Sequence, residues 1–315
     1  MALRIRGAAP SPGGRGGWSR YSDLSFYLFI SPWLAIGFLG LTAIPLAYAL
    51  GLSFTNFDGI SRWHWVGWAN YHELLGDPDT WHSLWRTALL TAITVPASIA
   101  GGLGLALLLN RRLPGIGLLR TVFYAPSIVP IVATALAFRQ LFARDSGLVN
   151  AAVERLGGPT VNWLIDPTVF DVLVALCLWG LGGGMIIFLA GLQGIPPELR
   201  EAAALDGVGG WGTFRNVTLP LLTPVILFQV ITGVIFALQR QVEPLLLAES
   251  QAVGTGDVPQ SNYLYMVNVY TQFFANQRFG YGAALLWLLF ALILLITLVV
   301  FRTSALWVYY EVEQR

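Results

Sequence analysis

The side chains best placed to do chemistry lie in the segment 194–219, which separates two long apolar runs and reads GIPPELREAAALDGVGGWGTFRNVTL. Its paired prolines are typical of a helix start, and Asp206 with Gly207 is typical of a helix end. The carboxylates of Glu201 and Asp206 suit an arginine of another chain, while Ala202 and Ala203 leave room for its close approach. The pattern predicts a short helix, a turn and a second short helix across a membrane face. An amphipathic loop resting on lipid headgroups is the alternative.

A second group of polar residues lies along and just after the apolar run 221–238. Ionisable groups at membrane depth usually pair with each other or face a cavity, so these side chains are candidates for a solute pathway. The alternative is a local pair between Arg240 and Glu243, three residues apart, at the level of the headgroups. The group comprises Gln229, Gln239, Arg240, Gln241 and Glu243.

Several other chemistries are disfavoured. The three histidines lie among five tryptophans between residues 63 and 85, a pattern more typical of an aromatic belt at the membrane interface than of a zinc site, and no metal site is predicted. All 18 basic residues are arginine, which excludes a Schiff-base lysine and a Walker A loop. If ATP is used, another chain must bind it. The one cysteine, Cys177, excludes an internal disulfide.

The composition indicates the medium in which these residues work. Of 315 residues, 56% are apolar and only 11% are charged, against about 25% in a soluble domain. An integral membrane protein in contact with the lipid bilayer is therefore predicted. The net charge of +1 argues against binding nucleic acid. The scattered carboxylates outside the segment 194–219 argue against a membrane-embedded enzyme.

The apolar runs predict an all-α protein with six transmembrane helices and no cleaved signal peptide. Residues 1–23 are predicted to be a flexible cytoplasmic tail, residues 24–304 the transmembrane domain and residues 305–315 a cytoplasmic C-terminal tail. Eleven of the 18 arginines then fall on the side of the termini, which predicts that both termini lie in the cytoplasm. The predicted spans are Leu24–Leu52, Leu84–Leu109, Leu118–Phe142, Phe170–Leu192, Leu221–Leu238 and Tyr281–Phe301.

The segment 194–219 also resembles a known family motif. Glu201-Ala202-Ala203, three residues, Gly207, nine residues, Val217, one residue and Leu219-Pro220 is similar to the EAA loop of ABC importer permeases. Further motifs resemble the carbohydrate-uptake permeases related to the maltose and glycerol-phosphate transporters, of the first-permease type. They include Val66-Gly67-Trp68-Ala69-Asn70-Tyr71, Gly147-Leu148-Val149-Asn150, Phe188-Leu189-Ala190-Gly191-Leu192-Gln193 and Phe279-Gly280-Tyr281-Gly282-Ala283-Ala284.

The resemblance implies a type I ABC importer permease in a bacterial or archaeal inner membrane. It implies that the chain pairs with a second permease, that two ATPase subunits hold ATP and Mg, and that an external binding protein delivers a sugar. The chain itself is expected to bind no cofactor. The implied ATPase-coupling residues are Glu201, Ala202, Ala203, Asp206 and Gly207. By position in the family, and by chemistry suited to sugars, the implied substrate-pathway residues are Trp179, Gly183, Phe236, Gln239 and Arg240.

Two other transport functions compete with sugar import. The EAA loop marks the transport machinery and not its cargo, so an ABC importer of a non-sugar solute remains an alternative. An ion-coupled secondary transporter would carry an ion site at the bilayer midplane and, typically, an inverted repeat. No internal repeat is evident in the sequence, and the span interiors lack acidic residues.

Overall fold

The computed structural model describes residues 19–60, 63–111, 114–248 and 258–309. Throughout these ranges the regular structure is helical, apart from an isolated antiparallel bridge between Thr55 and Trp65. The predicted all-α class is confirmed. The chain divides into two compact units, Met1–Gly51 and Leu52–Arg315, and each is described by itself.

From Ser19 onward, the first unit is a single long helix. Helix α1 (Ser19–Pro32) continues through a π-helical stretch (Trp33–Ala43) into α2 (Ile44–Leu52). Its apolar part, Ser25–Leu52, has 28 residues, which exceeds the roughly 20 residues that cross a bilayer. Helix α1 begins inside the predicted flexible tail, because residues 19–31 contain neither glycine nor proline and a formed helix extends readily. The rest of that predicted tail, residues 1–18, lies outside the described residues.

The second unit is a bundle of long helices with short helices at its ends. Its helices are α3 (Ala69–Gly76), α4 (Pro78–Leu109), α5 (Ile116–Ile128), α6 (Ile131–Leu141), α7 (Leu148–Arg155), α8 (Val169–Trp179), α9 (Leu181–Gly194), α10 (Pro197–Leu205), α11 (Gly210–Thr213), α12 (Leu219–Leu238), α13 (Val242–Leu247), α14 (Tyr265–Tyr270) and α15 (Phe279–Ser304).

Five of the six predicted spans are long apolar helical segments, and one of them, the fourth predicted span, has a one-residue break at Gly180. Besides the first span they are Pro78–Leu109, Val169–Gly194, Gly210–Leu238 and Phe279–Ser304. Helix α4 starts six residues before the predicted Leu84, because Asp77 caps it by accepting a hydrogen bond from Asp79 N at 3.1 Å and Pro78 occupies its first position. Apolar runs alone therefore underestimate span length wherever a polar first turn is well capped.

The third predicted span, Leu118–Phe142, is not one straight helix. Helices α5 and α6 meet at an angle of 95°. Val129 and Pro130 between them are extended, with ψ angles of 131° and 135°. A proline disfavours helical geometry in the residue before it and cannot donate its own backbone hydrogen bond, which accounts for the break. The described residues reach six spans when this bent pair counts as one.

Two motif asparagines hold the connections between helices. The Asn70 side chain donates to the carbonyl oxygens of Ser53 and Thr55, both at 2.8 Å, and so secures the chain after the first span. Asn150 donates to Arg144 O and Val161 O at 2.8 Å, and its own oxygen accepts from the indole of Trp163 at 2.9 Å. Both asparagines are buried, so these bonds replace water that the loop backbone would otherwise need.

The long helices pack around three apolar clusters, one at one end of the bundle and two at the other. At the end of the bundle next to residues 194–219, α4, α9 and α12 meet through Ala106, Met185, Phe188 and Leu222. At the opposite end, the starts of α4, α8 and α15 pack with the short helices α3, α13 and α14. The carboxyl-terminal halves of α4 and α9 therefore lie beside the start of α12. We call this the coupling end of the bundle.

Candidate functional site

The segment 194–219 forms a short helix with a well-defined end. Helix α10 has Pro197 in its first turn and stops at Gly207, whose φ of +75° favours glycine. Val208 N donates to Ala203 O at 3.0 Å and Gly207 N donates to Ala204 O at 3.1 Å. This pair of bonds is the Schellman arrangement that terminates helices. The predicted helix stop is confirmed.

The side chains of α10 divide into an outward and an inward set. Glu201, Ala202 and Asp206 are exposed, and Leu205 beyond them is 89% exposed. Ala203 is only 8% exposed and faces its own chain. Ala203 therefore packs against other residues of this chain. The sequence motif instead predicts that Ala202 and Ala203 share an outward contact face. Helical geometry separates neighbouring residues by about 100°, so two adjacent alanines cannot share one narrow face.

The predicted second short helix is not separate. Helix α11 runs through a π-helical turn, Phe214–Thr218, directly into α12, so that Gly210–Leu238 is one continuous span. Pro220 lies in the first turn of α12 and cannot donate a backbone hydrogen bond, and the widened π turn immediately precedes it. Trp211, 73% exposed, projects from this extension of the fifth span. The carboxyl-terminal part of the segment 194–219 is therefore the start of the fifth span.

A cavity of about 570 Å³ lies among α4, α8, α9 and α12 and reaches Ser127 near the break after α5. Its wall is largely apolar, with small residues contributed by α9. Phe236, 71% exposed, gives it an aromatic face. The polar side chains on its wall are Thr94, Ser98, Ser127, Gln229, Thr232 and Arg240.

Hydrogen bonds already made within the chain decide which of these groups can donate to a solute. The hydroxyl groups of Thr94, Ser127 and Thr232 each donate to a backbone carbonyl oxygen in their own helix at 2.7 Å, which leaves them as acceptors. The side chains on the wall that can still donate are therefore the amide of Gln229, the guanidinium of Arg240 and the hydroxyl of Ser98. An aromatic face with a few fixed donors and acceptors suits a polyhydroxylated solute.

Arg240 is paired as well as placed on the cavity wall. Its Nη1 donates to Glu243 Oε1, and the two side chains are 19% and 7% exposed. The Nε of Arg240 is buried and has no hydrogen-bond partner among the described residues. The predicted local pair forms, and the same arginine lines the cavity. The pair neutralises a charge that would be costly to leave alone.

Each glycine of the run Gly182, Gly183 and Gly184 has a different neighbour. A Cβ atom on Gly182 would overlap the carbonyl oxygen of Phe123, so α9 and α5 touch backbone to backbone. A Cβ on Gly183 would meet Ser127 at an ordinary 3.6 Å, on the cavity wall. A Cβ on Gly184 would lie 2.8 Å from the amide nitrogen of Gln229. This glycine run therefore allows close helix packing at Gly182 and leaves space for the cavity at Gly183.

At the end of the bundle opposite the coupling end, Asp166 fastens a connection to the start of α8. Its carboxylate accepts hydrogen bonds from the backbone of Gln260 at 2.9 Å, from the backbone of Ser261 at 2.8 Å and from the Ser261 hydroxyl. Arg86 Nε donates to Ser261 O at 2.8 Å. Burial alone would raise the pKa of Asp166, but the bonds from Ser261 and Gln260 and the charge of Arg86 together lower it below its usual range.

The histidines converge on no metal. Across the described ranges, no group of three His, Cys, Asp or Glu side chains could hold an ion. His82 Nε2 instead lies 3.0 Å from Gln260 O. The tryptophans beside the histidines are exposed, with Trp65, Trp68 and Trp85 between 64% and 66%.

Comparison with known proteins decides the class. Residues 98–315 match the family described as binding-protein-dependent transport system inner membrane component. The chain belongs to this family of transport permeases. It is 36% identical over 299 residues to the probable ABC transporter permease protein YesP of Bacillus subtilis (strain 168), covering 94% of this chain and 95% of that one. It is 33% identical to the lactose transport system permease protein LacF of Rhizobium radiobacter, covering 92% and 97%.

Solved structures confirm the importer-permease fold. A chain of a bacterial alginate ABC transporter, in complex with an alginate pentasaccharide-bound periplasmic protein, superposes with a TM-score of 0.76 at 21% identity, covering 90% of this permease and 95% of that chain. The family and these relatives also confirm the predictions of a carbohydrate-uptake permease type, a multi-pass inner-membrane protein and a transport subunit rather than an enzyme.

The structure brings together three of the five predicted pathway residues. Gly183, Phe236 and Arg240 line the cavity of the permease. Trp179 does not line it and packs edge-on against Phe138, with ring centroids 5.8 Å apart. Gln239 follows the last residue of α12, is exposed and also lies off the cavity wall. The cavity-lining residues Cys177, Gly180 and Gly184 recur at spacings of three and four, so one helical face of the fourth span lines the cavity and Trp179 lies to one side of it.

Sequence reasoning missed the contributions of α4 and α5 to the wall. Thr94 and Ser98 recur at a spacing of four residues on α4, which is a signal of one polar stripe along a helix. Ser127 lies three residues before the break at Pro130 and carries no comparable signal. Its position on the wall follows from the bend between α5 and α6.

Proposed function

We propose that this permease is one of two membrane-spanning subunits of an ATP-driven importer for an oligosaccharide or sugar derivative. The observation that carries the proposal is the cavity among α4, α8, α9 and α12, with an aromatic face and polar donors and acceptors on its wall. Sugars present both apolar ring faces and hydroxyl groups, and such a wall is complementary to both. The transport systems named for the relatives, which include lactose, support the same substrate class.

Energy would come from partner chains. Two ATPase subunits would bind ATP and Mg, a second permease would complete the pathway, and an external binding protein would deliver the sugar. In this chain, Glu201, Ala202 and Asp206 are exposed on α10 and would contact an ATPase, while Gly207 fixes the turn and Ala203 packs beneath the contact face. Closure of the ATPases would push α10 and, through the turn at Gly207 and the continuous helix Gly210–Leu238, would move Phe236 and the adjoining Arg240 at the cavity.

Purification with partner chains tests the assembly. The tagged chain is extracted from its native membrane in mild detergent and the accompanying proteins are identified by mass spectrometry. We expect a second permease and an ATPase with a Walker motif. Recovery of this chain alone, even after crosslinking from a cysteine at Leu205 on the exposed face of α10, would contradict the proposal.

The single cysteine of the sequence tests the substrate. Cys177 lines the cavity, so a bound solute should slow its reaction with a small thiol reagent. We expect a transported sugar both to stimulate the ATPase of the purified importer and to slow labelling of Cys177. A control with Cys177→Ser and Leu156→Cys, at a position 89% exposed on the surface, should label at a rate independent of sugar. If only a non-sugar solute slowed the labelling of Cys177, the proposed sugar substrate would be wrong.

The arginine distribution supports an orientation with both termini in the cytoplasm, which places α10 on the same side as the ATPases. The test uses Leu205→Cys on a Cys177→Ser background. We expect a membrane-impermeant thiol reagent to label this cysteine in opened cells and not in intact ones. Labelling in intact cells would show that α10 lies on the outer side of the membrane and would contradict the proposed orientation.

A further inference from the structure

A second concavity lies on the outer surface of the bundle, behind the wall of the cavity. It is a groove of about 650 Å³ between α4, α5 and the α8–α9 region, and its wall is made of apolar and glycine residues. Leu108, Val122 and Trp179 on this wall are 61%, 56% and 54% exposed. These residues lie in candidate membrane-crossing segments, and the groove opens at the surface of this chain. Leu181 lines both the groove and the cavity and separates them.

The groove ends beside two arginines at the coupling end. On α4 it runs from Gly101 to Leu108, about 10 Å along the helix axis. Arg111 is exposed three residues after Leu108. Arg120 lies three residues before Phe123, on the same face of α5, and its Nη2 and Nε donate to Leu109 O at 2.8 and 3.2 Å.

The guanidinium groups of Arg111 and Arg120 both have N–H donors left to bind an anion. Of the five N–H donors of Arg120, two are engaged by the Leu109 carbonyl. Within the described residues, the salt bridges are Arg240 with Glu243 and Arg278 with Glu73, so neither Arg111 nor Arg120 takes part in one. The groove therefore combines an apolar channel in the bilayer with two positive charges at the level where phospholipid headgroups lie.

We propose that this groove binds one anionic phospholipid from the leaflet at the coupling end. An acyl chain would occupy the apolar channel, and the phosphate would bind Arg111 and Arg120. Basic sites between membrane helices bind anionic headgroups, and arginine forms paired hydrogen bonds with phosphate oxygens. An apolar helix of another protein would fill the channel but would leave the two charges unmatched. Because Leu181 is shared, the bound chain would support the wall of the solute cavity.

Photolabelling of the importer, purified with its partner chains, tests the site. The complex is reconstituted in phosphatidylcholine bilayers that contain phosphatidylglycerol with a diazirine in its acyl chain, and labelled peptides are mapped. We expect labelling of residues 101–108 and 122–126 at least fivefold above that by a phosphatidylcholine probe with the same diazirine. Labelling should fall at least fivefold in Arg111→Gln with Arg120→Gln, where glutamine can still donate to Leu109 O.

A second variant tests the apolar channel. A Cβ on Gly104 would meet open space, so Gly104→Leu should fill the groove without disturbing the helix and should also reduce labelling at least fivefold. Gly117→Leu and Arg302→Gln are the matched controls. Gly117 also has open space around it, both residues are exposed, and neither lines the groove. Labelling should be unchanged in both.

Three results would overturn the proposal. Equal labelling by the phosphatidylcholine probe would show ordinary lipid contact without headgroup recognition. Unchanged labelling in the double glutamine variant would remove the arginines from the site. Efficient crosslinking of Gly104→Cys to the second permease would show that a protein covers the groove. None of these results bears on sugar transport, so they are distinct from a failure of the proposed function.

Discussion

At the scale of single residues, neighbouring side chains of helix α10 have different environments, because each residue is rotated by about 100° from the one before it. Ala202 is exposed and Ala203 is buried, although the sequence motif contains both. Glu201 is exposed beside them, and its carboxylate makes no salt bridge within the described chain. It is therefore available to an arginine of another subunit.

Reversing that charge should uncouple the importer. We expect Glu201→Arg to reduce sugar uptake at least tenfold while the ATPase remains active and the chain still inserts, because like charges would meet at the contact. Uptake and ATP hydrolysis are measured together in proteoliposomes. Glu198→Arg, an exposed charge reversal in the first turn of the same helix, is the control and should have a smaller effect. Normal uptake by Glu201→Arg would remove the coupling role.

The buried pair of Arg240 and Glu243 allows a structural role to be separated from a transport role. Arg240→Ala should abolish uptake and should also weaken the fold, by about 3 to 5 kcal/mol, because Glu243 is left buried and unpaired. Arg240→Ala with Glu243→Ala should restore assembly but not uptake. Assembly is followed by size-exclusion chromatography in detergent. Normal uptake by the double variant would show that the pair only stabilises the bundle.

At the scale of elements, the bundle depends on places where helices meet without side chains between them. Helix α9 approaches α5 at Gly182 and α4 at Gly102, where a Cβ would lie 3.3 Å from Met185 N. Small residues allow such contacts in membrane bundles, where apolar surface alone gives little preference for helix over lipid. The bend at Val129 and Pro130 brings the end of α5 to this crossing.

The adjacent glycines of α9 provide a matched pair for testing this packing. Gly182→Ala should destabilise the permease by about 1 to 3 kcal/mol, because its methyl group would overlap the backbone of Phe123 and force α5 and α9 apart. Gly183→Ala meets Ser127 at an ordinary distance and should change stability by less than about 0.5 kcal/mol. Thermal unfolding in detergent measures both. Equal stability of the two variants would refute the close crossing.

At the scale of the whole molecule, the end of the bundle opposite the coupling end is held together by contacts between distant parts of the sequence. Asp166 fastens Gln260 and Ser261, and the hydroxyl of Thr87 accepts a hydrogen bond from Tyr265 N at 2.8 Å. These bonds join residues more than 90 positions apart, at the end of the bundle where α4, α8 and α14 begin.

The carboxylate of Asp166 gives this end a defined pH dependence. Its pKa is lower in the folded chain than in the unfolded one, so its stabilisation is complete above the unfolded pKa and is lost as pH falls through the folded pKa. We expect Asp166→Asn to lower the melting temperature at pH 7 and to flatten the decline of melting temperature below pH 5. The control is Asp171→Asn, at an exposed carboxylate in the first turn of α8. Its melting temperature should still fall below pH 5 as in the unaltered chain. Identical profiles for the two variants would refute the role of Asp166.

The protein class, the approximate spans and helix α10 could all be predicted from the sequence, because each depends on local chemistry. Runs of about 20 apolar residues specify membrane helices, and the prolines before α10 with Gly207 after it specify where that helix starts and stops. The spacing of the motif around Glu201 was sufficient to indicate an importer permease.

The set of side chains that share the cavity, and the neighbour that each glycine meets, could not be predicted because they depend on contacts between distant helices. Trp179 carries suitable chemistry yet lies outside the cavity, and Ser127 lies on its wall because α5 and α6 bend by 95°. Which side of a span faces the cavity depends on the rotation of the helix and on the crossing of helices that are distant in the sequence. In apolar spans the inward and lipid-facing sides have similar composition, so hydrophobic periodicity carries little information about rotation.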